Sequence, residues 1–114
     1  MSINKVMVLG RLGRDPDVSY TAAGKCITKL AVATTETWND KNTGEKQERT
    51  EWHRVTFFGK VAEIVASHFN KGSRIYIEGQ LSTSTYEKNG EKRYSTEIVA
   101  KDFKFIDTKA ERPI

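Results

Sequence analysis

Aromatic and basic residues alternate along one stretch of this sequence, Glu51–Phe58, which reads EWHRVTFF. Side chains alternate between the two faces of a β-strand. One face would then carry Trp52, Arg54, Thr56 and Phe58, and the other His53, Val55 and Phe57. The second face is suited to a core, which leaves two rings and a guanidinium group exposed on the first. Rings stack on unpaired bases of any identity while cations hold phosphates, so this face predicts binding of single-stranded nucleic acid. Coverage of the face by another subunit or loop is the alternative.

Two more aromatic residues lie beside predicted hairpins. Trp38 precedes the polar, turn-rich segment Asn39–Gln47, and a large apolar ring is costly to expose there without a partner. It either folds back over the end of the fold or provides another stacking surface. Tyr86 precedes a second hairpin, close to Lys88. For this ring both packing and stacking stay open.

The charge balance favours an anionic partner. The formal net charge is +4 and the pI is about 9.2, a bias that is common in proteins that bind nucleic acid. Cations near the aromatic strand or in the hairpins are better placed to bind phosphates than the others. The residues predicted to do so are Lys5, Lys41, Arg54, Lys60, Lys71 and Lys88. Duplex readout is not expected, since the one predicted helix is short and its exposed side is not basic.

Catalytic and metal-binding residues are not grouped in the sequence. Asp15, Asp17 and Asp40 are scattered over predicted turns, whereas nuclease chemistry needs clustered carboxylates around a metal ion. Cys26 is the only cysteine and is predicted to be a small buried thiol. We therefore expect no enzyme, no cofactor and no metal site. With neither a targeting leader nor an apolar span in the sequence, we also expect a cytoplasmic protein.

The elements that would position these residues are mostly strands, since period-2 patterning dominates. The predicted strands are Lys5–Leu12, Lys25–Thr37, Glu51–Phe58, Arg74–Tyr86 and Tyr94–Ile106. Between the third and fourth, Val61–Phe69 has helical periodicity, with Phe69 on its apolar side and Gly72 as a candidate left-handed cap. Five strands with one helix in that position predict an all-β, five-stranded Greek-key OB-fold barrel.

Two hairpins and one glycine complete the predicted fold. The loops are Asn39–Gln47 and Glu87–Lys92, and the second contains an Asn-Gly pair that favours a tight turn. Gly79 interrupts the fourth strand and indicates a bend, a bulge or a close contact. The expected domain covers residues 1–106, followed by a short charged tail, Asp107–Ile114.

Several runs resemble the bacterial single-stranded-DNA-binding protein family. They are Asn4–Gly10, Leu12-Gly13, Asp15-Pro16, Thr50–Val55 (TEWHRV), Phe58–Lys60, Lys71-Gly72 and Tyr76–Leu81 (YIEGQL). The likeness extends to about Phe105, and TEWHRV and YIEGQL are its most specific parts. It implies an OB-fold homotetramer on which single-stranded DNA wraps across several subunits. In the family pattern, the stacking positions correspond to Trp38, Trp52, Phe58 and Tyr86. Residues near subunit contacts correspond to His53, Tyr76, Glu78 and Gln80.

Two departures from the family pattern limit what the resemblance implies. Ser82, Ser84 and Thr85 stand where members often carry basic residues, so this hairpin is expected to grip phosphates more weakly. The sequence stops at Ile114 without the acidic tip through which members recruit replication and repair enzymes. Such partners are therefore not carried over, and a truncated form and a naturally short phage or plasmid form both stay open.

The function expected from residues and resemblance together is sequence-tolerant binding and protection of single-stranded DNA during replication, recombination and repair. The place of action would be the bacterial nucleoid, or the host cytoplasm for a phage- or plasmid-encoded form. The alternatives are an OB-domain accessory factor in primosome assembly, an RNA-binding module and a purely structural oligomerisation domain. Competition between DNA and RNA oligomers separates the RNA option, and absence of nucleic-acid binding would indicate the structural one.

Overall fold

The computed structural model describes residues 1–106, which form six strands and one helix. The strands are β1 (Val6–Leu12), β2 (Asp17–Tyr20), β3 (Cys26–Asn39), β4 (Lys46–Phe58), β5 (Arg74–Lys88) and β6 (Glu91–Phe105), and the helix is α1 (Lys60–His68). The predicted tail, Asp107–Ile114, lies outside the described residues.

The strands form one sheet in the order β1-β5-β6-β4-β3-β2, and β1 also pairs with β3. This last pairing, Arg11 with Ala33 and Leu12 with Val32, closes the sheet into a barrel. Five long strands make the barrel, with α1 between β4 and β5. The predicted OB-fold class is confirmed.

The core follows the alternation read from the sequence. Val32 on β3 and Val55 and Phe57 on β4 are almost fully buried. The helix packs over this layer through Ala62 and Val65. Phe69 and Cys26 are also buried, as predicted.

One buried hydroxyl fixes the helix to the sheet. Thr28 is fully buried on β3, and its Oγ1 donates a hydrogen bond of 2.8 Å to the carbonyl oxygen of Ala62. A buried hydroxyl without a partner would be costly. This bond therefore satisfies Thr28 and holds α1 in register against β3.

Strand β2 was not predicted. Its four residues are all exposed, and the alternation of Val18 and Tyr20 is too short to mark a strand in the sequence. It forms because the chain returns to the edge of β3 that β1 leaves unpaired, where Asp17 pairs with Lys29 and Tyr20 with Cys26.

Gly72 is not the helix cap. The helix ends at His68 because Phe69 is already extended, at φ −113° and ψ 144°, with its ring in the core. Gly72 does have a positive φ of 90°, but it lies in the turn that leads to β5. Its N–H donates to the carbonyl oxygen of Leu12, at 2.8 Å.

Glycines allow a β-bulge in β5 and a tight turn between β5 and β6. At Gly79 the register shifts between Glu78 and Gly79, which is a β-bulge, and a Cβ here would collide with the carbonyl oxygen of Val99. The position is thus both a bulge and a close contact. The predicted Asn-Gly turn is confirmed: Asn89 and Gly90 have φ values of 54° and 77° and join β5 to β6.

Beyond the barrel, β3 with β4 and β5 with β6 continue as two-stranded ribbons, which we call the first and the second arm. The first arm reaches the pair Asn39 and Lys46, and the second reaches Lys88 and Glu91. Both strands of the first arm are longer than the sequence predicted, because the polar ends still pair. Within residues 1–106, no helix has the length and apolar character needed to cross a bilayer.

Candidate nucleic-acid interface

The outward face of β4 carries the rings that the sequence placed there. The register with β3 has no shift along its whole length, so alternation holds from one end to the other. Trp52 and Phe58 are 58% and 41% exposed, and Arg54 between them is also exposed. The predicted division of this strand into a core face and an open face is confirmed.

Thr56 departs from that prediction, because it lies on the open face and is still buried. Its exposure is 2%, and its hydroxyl donates a hydrogen bond of 2.9 Å to Oε2 of Glu97 on β6. Thr56 is buried because β6 covers β4 at this point, where the two strands pair in parallel at Val55 and Thr56. The open face therefore has an aromatic ring at each end and a short stretch in the middle that β6 covers.

Trp52 is held by contact with a glycine. The Gly13 N–H donates to the carbonyl oxygen of Ala31 at 2.9 Å, which keeps the end of β1 beside β3. A Cβ on Gly13 would overlap the six-membered ring of Trp52. The indole therefore lies directly on the Gly13 backbone, and this contact orients the ring while leaving more than half of the residue accessible.

Phe58 has a cation beside its ring. The Lys25 ammonium group lies 5.7 Å from the ring centroid, within the range of a cation–π interaction. Lys60, a predicted phosphate ligand, is the first residue of α1, two positions after Phe58. This end of the open face thus combines one exposed ring with two lysines nearby.

The two remaining predicted rings lie on the arms. Tyr86 on β5 pairs with Arg93 and is 49% exposed. Trp38 pairs with Gln47 and is 48% exposed. The unbroken register puts Trp38 on the opposite side of the first arm from Trp52. The structure therefore brings Trp52, Arg54 and Phe58 onto one surface, while Trp38 reaches solvent on the reverse side.

The predicted basic residues are not all collected on this surface. Lys41 lies in the loop of the first arm, and Lys88 lies at the end of the second. Lys5 lines a small cavity with Glu78 and Lys101, away from the rings. Lys71 lies in the turn after α1, where its backbone N–H donates to Asp15 Oδ1 at 2.8 Å.

Two cations that were not among the predicted phosphate ligands lie beside Arg54. Arg14 and Lys29 line one groove with Arg54, in the region where β4 meets β6. Lys29 pairs with Thr56 across β3 and β4, so its side chain is on the open face. The sequence did indicate that Lys29 points outward, because it lies between the inward residues Thr28 and Leu30 of β3. The pairing of β3 with β4 was needed to place it beside Arg54.

The four residues predicted at subunit contacts are partly buried and bonded to neighbours. The Tyr76 hydroxyl donates a hydrogen bond of 2.7 Å to Oε1 of Glu78, and this bond raises the pKa of Tyr76. His53 Nε2 lies 2.9 Å from Thr34 Oγ1. Gln80 pairs with Val99 just beyond the Gly79 bulge.

Apolar side chains surround Tyr76 on the outer side of the barrel. Leu9 pairs with Tyr76 and Met7 with Glu78 across β1 and β5. Leu9 is 49% exposed and Met7 is 64% exposed. Together with Tyr76 they form an apolar surface on a part of the barrel separate from the Trp52–Phe58 face.

Comparison with known proteins places this architecture in a family. Residues 3–106 match the model described as "Single-strand binding protein family". The chain is 50% identical over 109 residues to "Single-stranded DNA-binding protein 1" of Xylella fastidiosa (strain 9a5c). These residues are 95% of this chain and 80% of the relative.

Two solved structures have the same fold as this chain. One is titled "Plasmodium falciparum SSB complex with ssDNA", with a TM-score of 0.83 and 31% identity over 94% of this chain and 97% of that one. The other is a deletion mutant of the single-stranded DNA binding protein from Thermus aquaticus, with a TM-score of 0.80 and 30% identity. The match covers 95% of this chain and about half (52%) of that one. On the extent of the family match and the identity to these relatives, the chain belongs to the single-strand binding protein family.

Proposed function

We propose that this protein binds and protects single-stranded DNA with little regard to sequence, in replication, recombination and repair. The observation that carries the proposal is the open face of β4, with Trp52 and Phe58 exposed on either side of Arg54. Two comparisons support it. Residues 3–106 match the family, and the names of the relatives refer to single-stranded DNA.

The geometry suggests how sequence tolerance arises. Every base has a π face, so a ring that stacks on one base can stack on any of them. Arg54, Lys25 and Lys60 lie between or beside the rings and supply positive charge for the backbone phosphates. Neither contact reads a base edge. The family is one of non-enzymatic DNA-binding proteins, in agreement with the expectation that the chain catalyses no reaction.

We further propose that the protein acts as a homo-oligomer, a tetramer by resemblance, in the cytoplasm. The exposed Met7 and Leu9 beside Tyr76 support an interface on the outer side of β1 and β5. Contiguous apolar surface of this kind commonly marks an interaction site. It is separate from the Trp52–Phe58 face, so subunits could associate there and leave the stacking rings free.

Tryptophan fluorescence during titration with oligo(dT) tests the proposed function, with duplex DNA and RNA of equal length as competitors. Trp38 and Trp52 are the only tryptophans, so Trp38→Phe and Trp52→Phe variants separate the two signals. We expect strong quenching by oligo(dT), little competition from duplex, and most of the quenching from Trp52. Absence of binding by this method and by a mobility assay would refute the proposal, and stronger competition from RNA would indicate an RNA-binding module.

A further inference from the structure

The two rings of the open face are too far apart to hold the same nucleotide. Trp52 and Phe58 are six residues apart on β4, which is about 20 Å at about 3.3 Å per residue. Each ring must therefore stack on a different base. If the proposed function holds, the strand that joins these bases has to cross the middle of the face, where its phosphates need positive partners.

A groove with a positive excess lies at that place. It encloses about 250 Å³, and its walls include Arg14, Lys29, Arg54, Ser84, Ser95 and Glu97. Three of these residues are cationic and Glu97 is anionic, which leaves an excess of two positive charges. The cations come from the β1, β3 and β4 side, whereas β5 contributes only the hydroxyl of Ser84.

The cations of this groove are accessible, and the side chain of Arg54 is held in place. Arg54 is held across the groove, where its Nη2 donates a hydrogen bond of 2.5 Å to Ser95 Oγ on β6. The hydrogen bond from Gly13 to Ala31 holds the residue before Arg14 against β3. Among residues 1–106, no carboxylate lies within 4 Å of the charged groups of Arg14 or Lys29, and both residues are exposed. Asp17 is the cross-strand neighbour of Lys29 on β2 but forms no ion pair with it, so both cations stay accessible to a ligand.

We infer that Arg14 and Lys29, together with Arg54, form a phosphate-binding groove that carries the DNA backbone between the base on Trp52 and the base on Phe58. The inference rests on the proposed function and assigns two phosphate ligands that the sequence did not single out. The Glu97 carboxylate accepts the hydrogen bond from Thr56 and also lines the groove. Its negative charge would repel a phosphate there and so weaken binding.

The test measures oligo(dT) affinity against salt concentration for the full chain and four variants. Each phosphate contact with a single strand contributes about 0.7 to the slope of log K against log salt, or about fivefold in affinity per tenfold change in salt. Lys29→Gln and Arg14→Gln should each lower the slope by about that amount. Glu97→Gln, which can still accept the Thr56 hydrogen bond, should tighten binding at low salt. Lys101→Gln is the matched control, because Lys101 lies beside Lys5 and Glu78, outside the groove.

A charge-relocation variant distinguishes a local phosphate contact from a change in overall charge. Ser84 lines the same groove from the opposite wall, so Ser84→Arg added to Lys29→Gln should restore the slope. The assignment is overturned if Lys29→Gln binds with wild-type slope and affinity, or if Lys101→Gln loses as much. Those results would leave oligo(dT) binding by the wild-type protein intact, whereas a wild-type protein that binds no single strand would refute the proposed function and this groove with it.

Discussion

At the residue scale, exposure and support together distinguish Trp52 from the other rings. Its indole lies on Gly13 and points away from the core, so the ring is oriented before any ligand arrives. A preorganised ring loses little conformational freedom on binding, which favours affinity. Phe58 is less exposed and has Lys25 beside it. We therefore expect Trp52 to contribute more stacking energy than Phe58.

Replacing Trp52 with alanine should weaken oligo(dT) binding by about 1–3 kcal/mol, the usual contribution of one stacked base. The residue is 58% exposed, so the fold should tolerate the change, which circular dichroism and thermal unfolding would check. Tyr20→Ala is the matched control, since Tyr20 is 63% exposed but lies on β2, outside the proposed face. Equal affinities of the Trp52 and Tyr20 variants would contradict the role given to the ring.

At the scale of elements, two glycines near the same strand end should respond differently to an added methyl group. A Cβ on Gly10 would collide with the backbone carbonyl of Ala33, whereas a Cβ on Gly13 would meet the side chain of Trp52. Backbone in a closed barrel cannot move aside easily, but an exposed indole can turn. The pairing of β1 with β3 thus depends on Gly10, and the orientation of Trp52 depends on Gly13.

Gly10→Ala should lower the free energy of unfolding by about 1–3 kcal/mol, as overpacking does. Gly13→Ala should change it by less than about 0.5 kcal/mol, the range of surface substitutions, and should still weaken oligo(dT) binding because the Trp52 ring is displaced. Denaturant unfolding and fluorescence titration of both variants measure the two effects. If Gly13→Ala kept full affinity, the contact with the ring would have no part in binding.

At the scale of the whole molecule, the barrel keeps two surfaces apart. The aromatic and basic face lies on β4 with its neighbours, and the apolar surface of Met7, Leu9 and Tyr76 lies on β1 and β5. Small domains with thin cores are often stabilised by association. This division allows the protein to associate through one surface and bind a strand through the other.

Leu9→Glu should shift the protein towards a monomer of about 12.9 kDa, because a carboxylate would replace an apolar group in the centre of the proposed interface. Sedimentation velocity or light scattering over a range of protein concentrations would measure the mass. Lys104→Glu offers a comparison at the rim, since Lys104 pairs with Tyr76 from the other side. A wild-type protein that is itself monomeric at high concentration would rule out this interface.

The sequence by itself determined the fold class, the core and the face that carries Trp52, Arg54 and Phe58. These features depend on alternation and on local turn chemistry, such as the Asn89-Gly90 hairpin. Both are determined by residues that are close together in the sequence. The resemblance carried by TEWHRV and YIEGQL added the family.

Only the tertiary structure decided which distant residues meet. Strand β2 is held by the unpaired edge of β3, Thr56 is buried by Glu97, and Trp38 lies on the reverse side of its arm. Arg14 and Lys29 join Arg54 through the pairing of β3 with β1 and β4. Local patterns cannot specify these contacts, because strand pairing and barrel closure bring together side chains that are far apart along the chain.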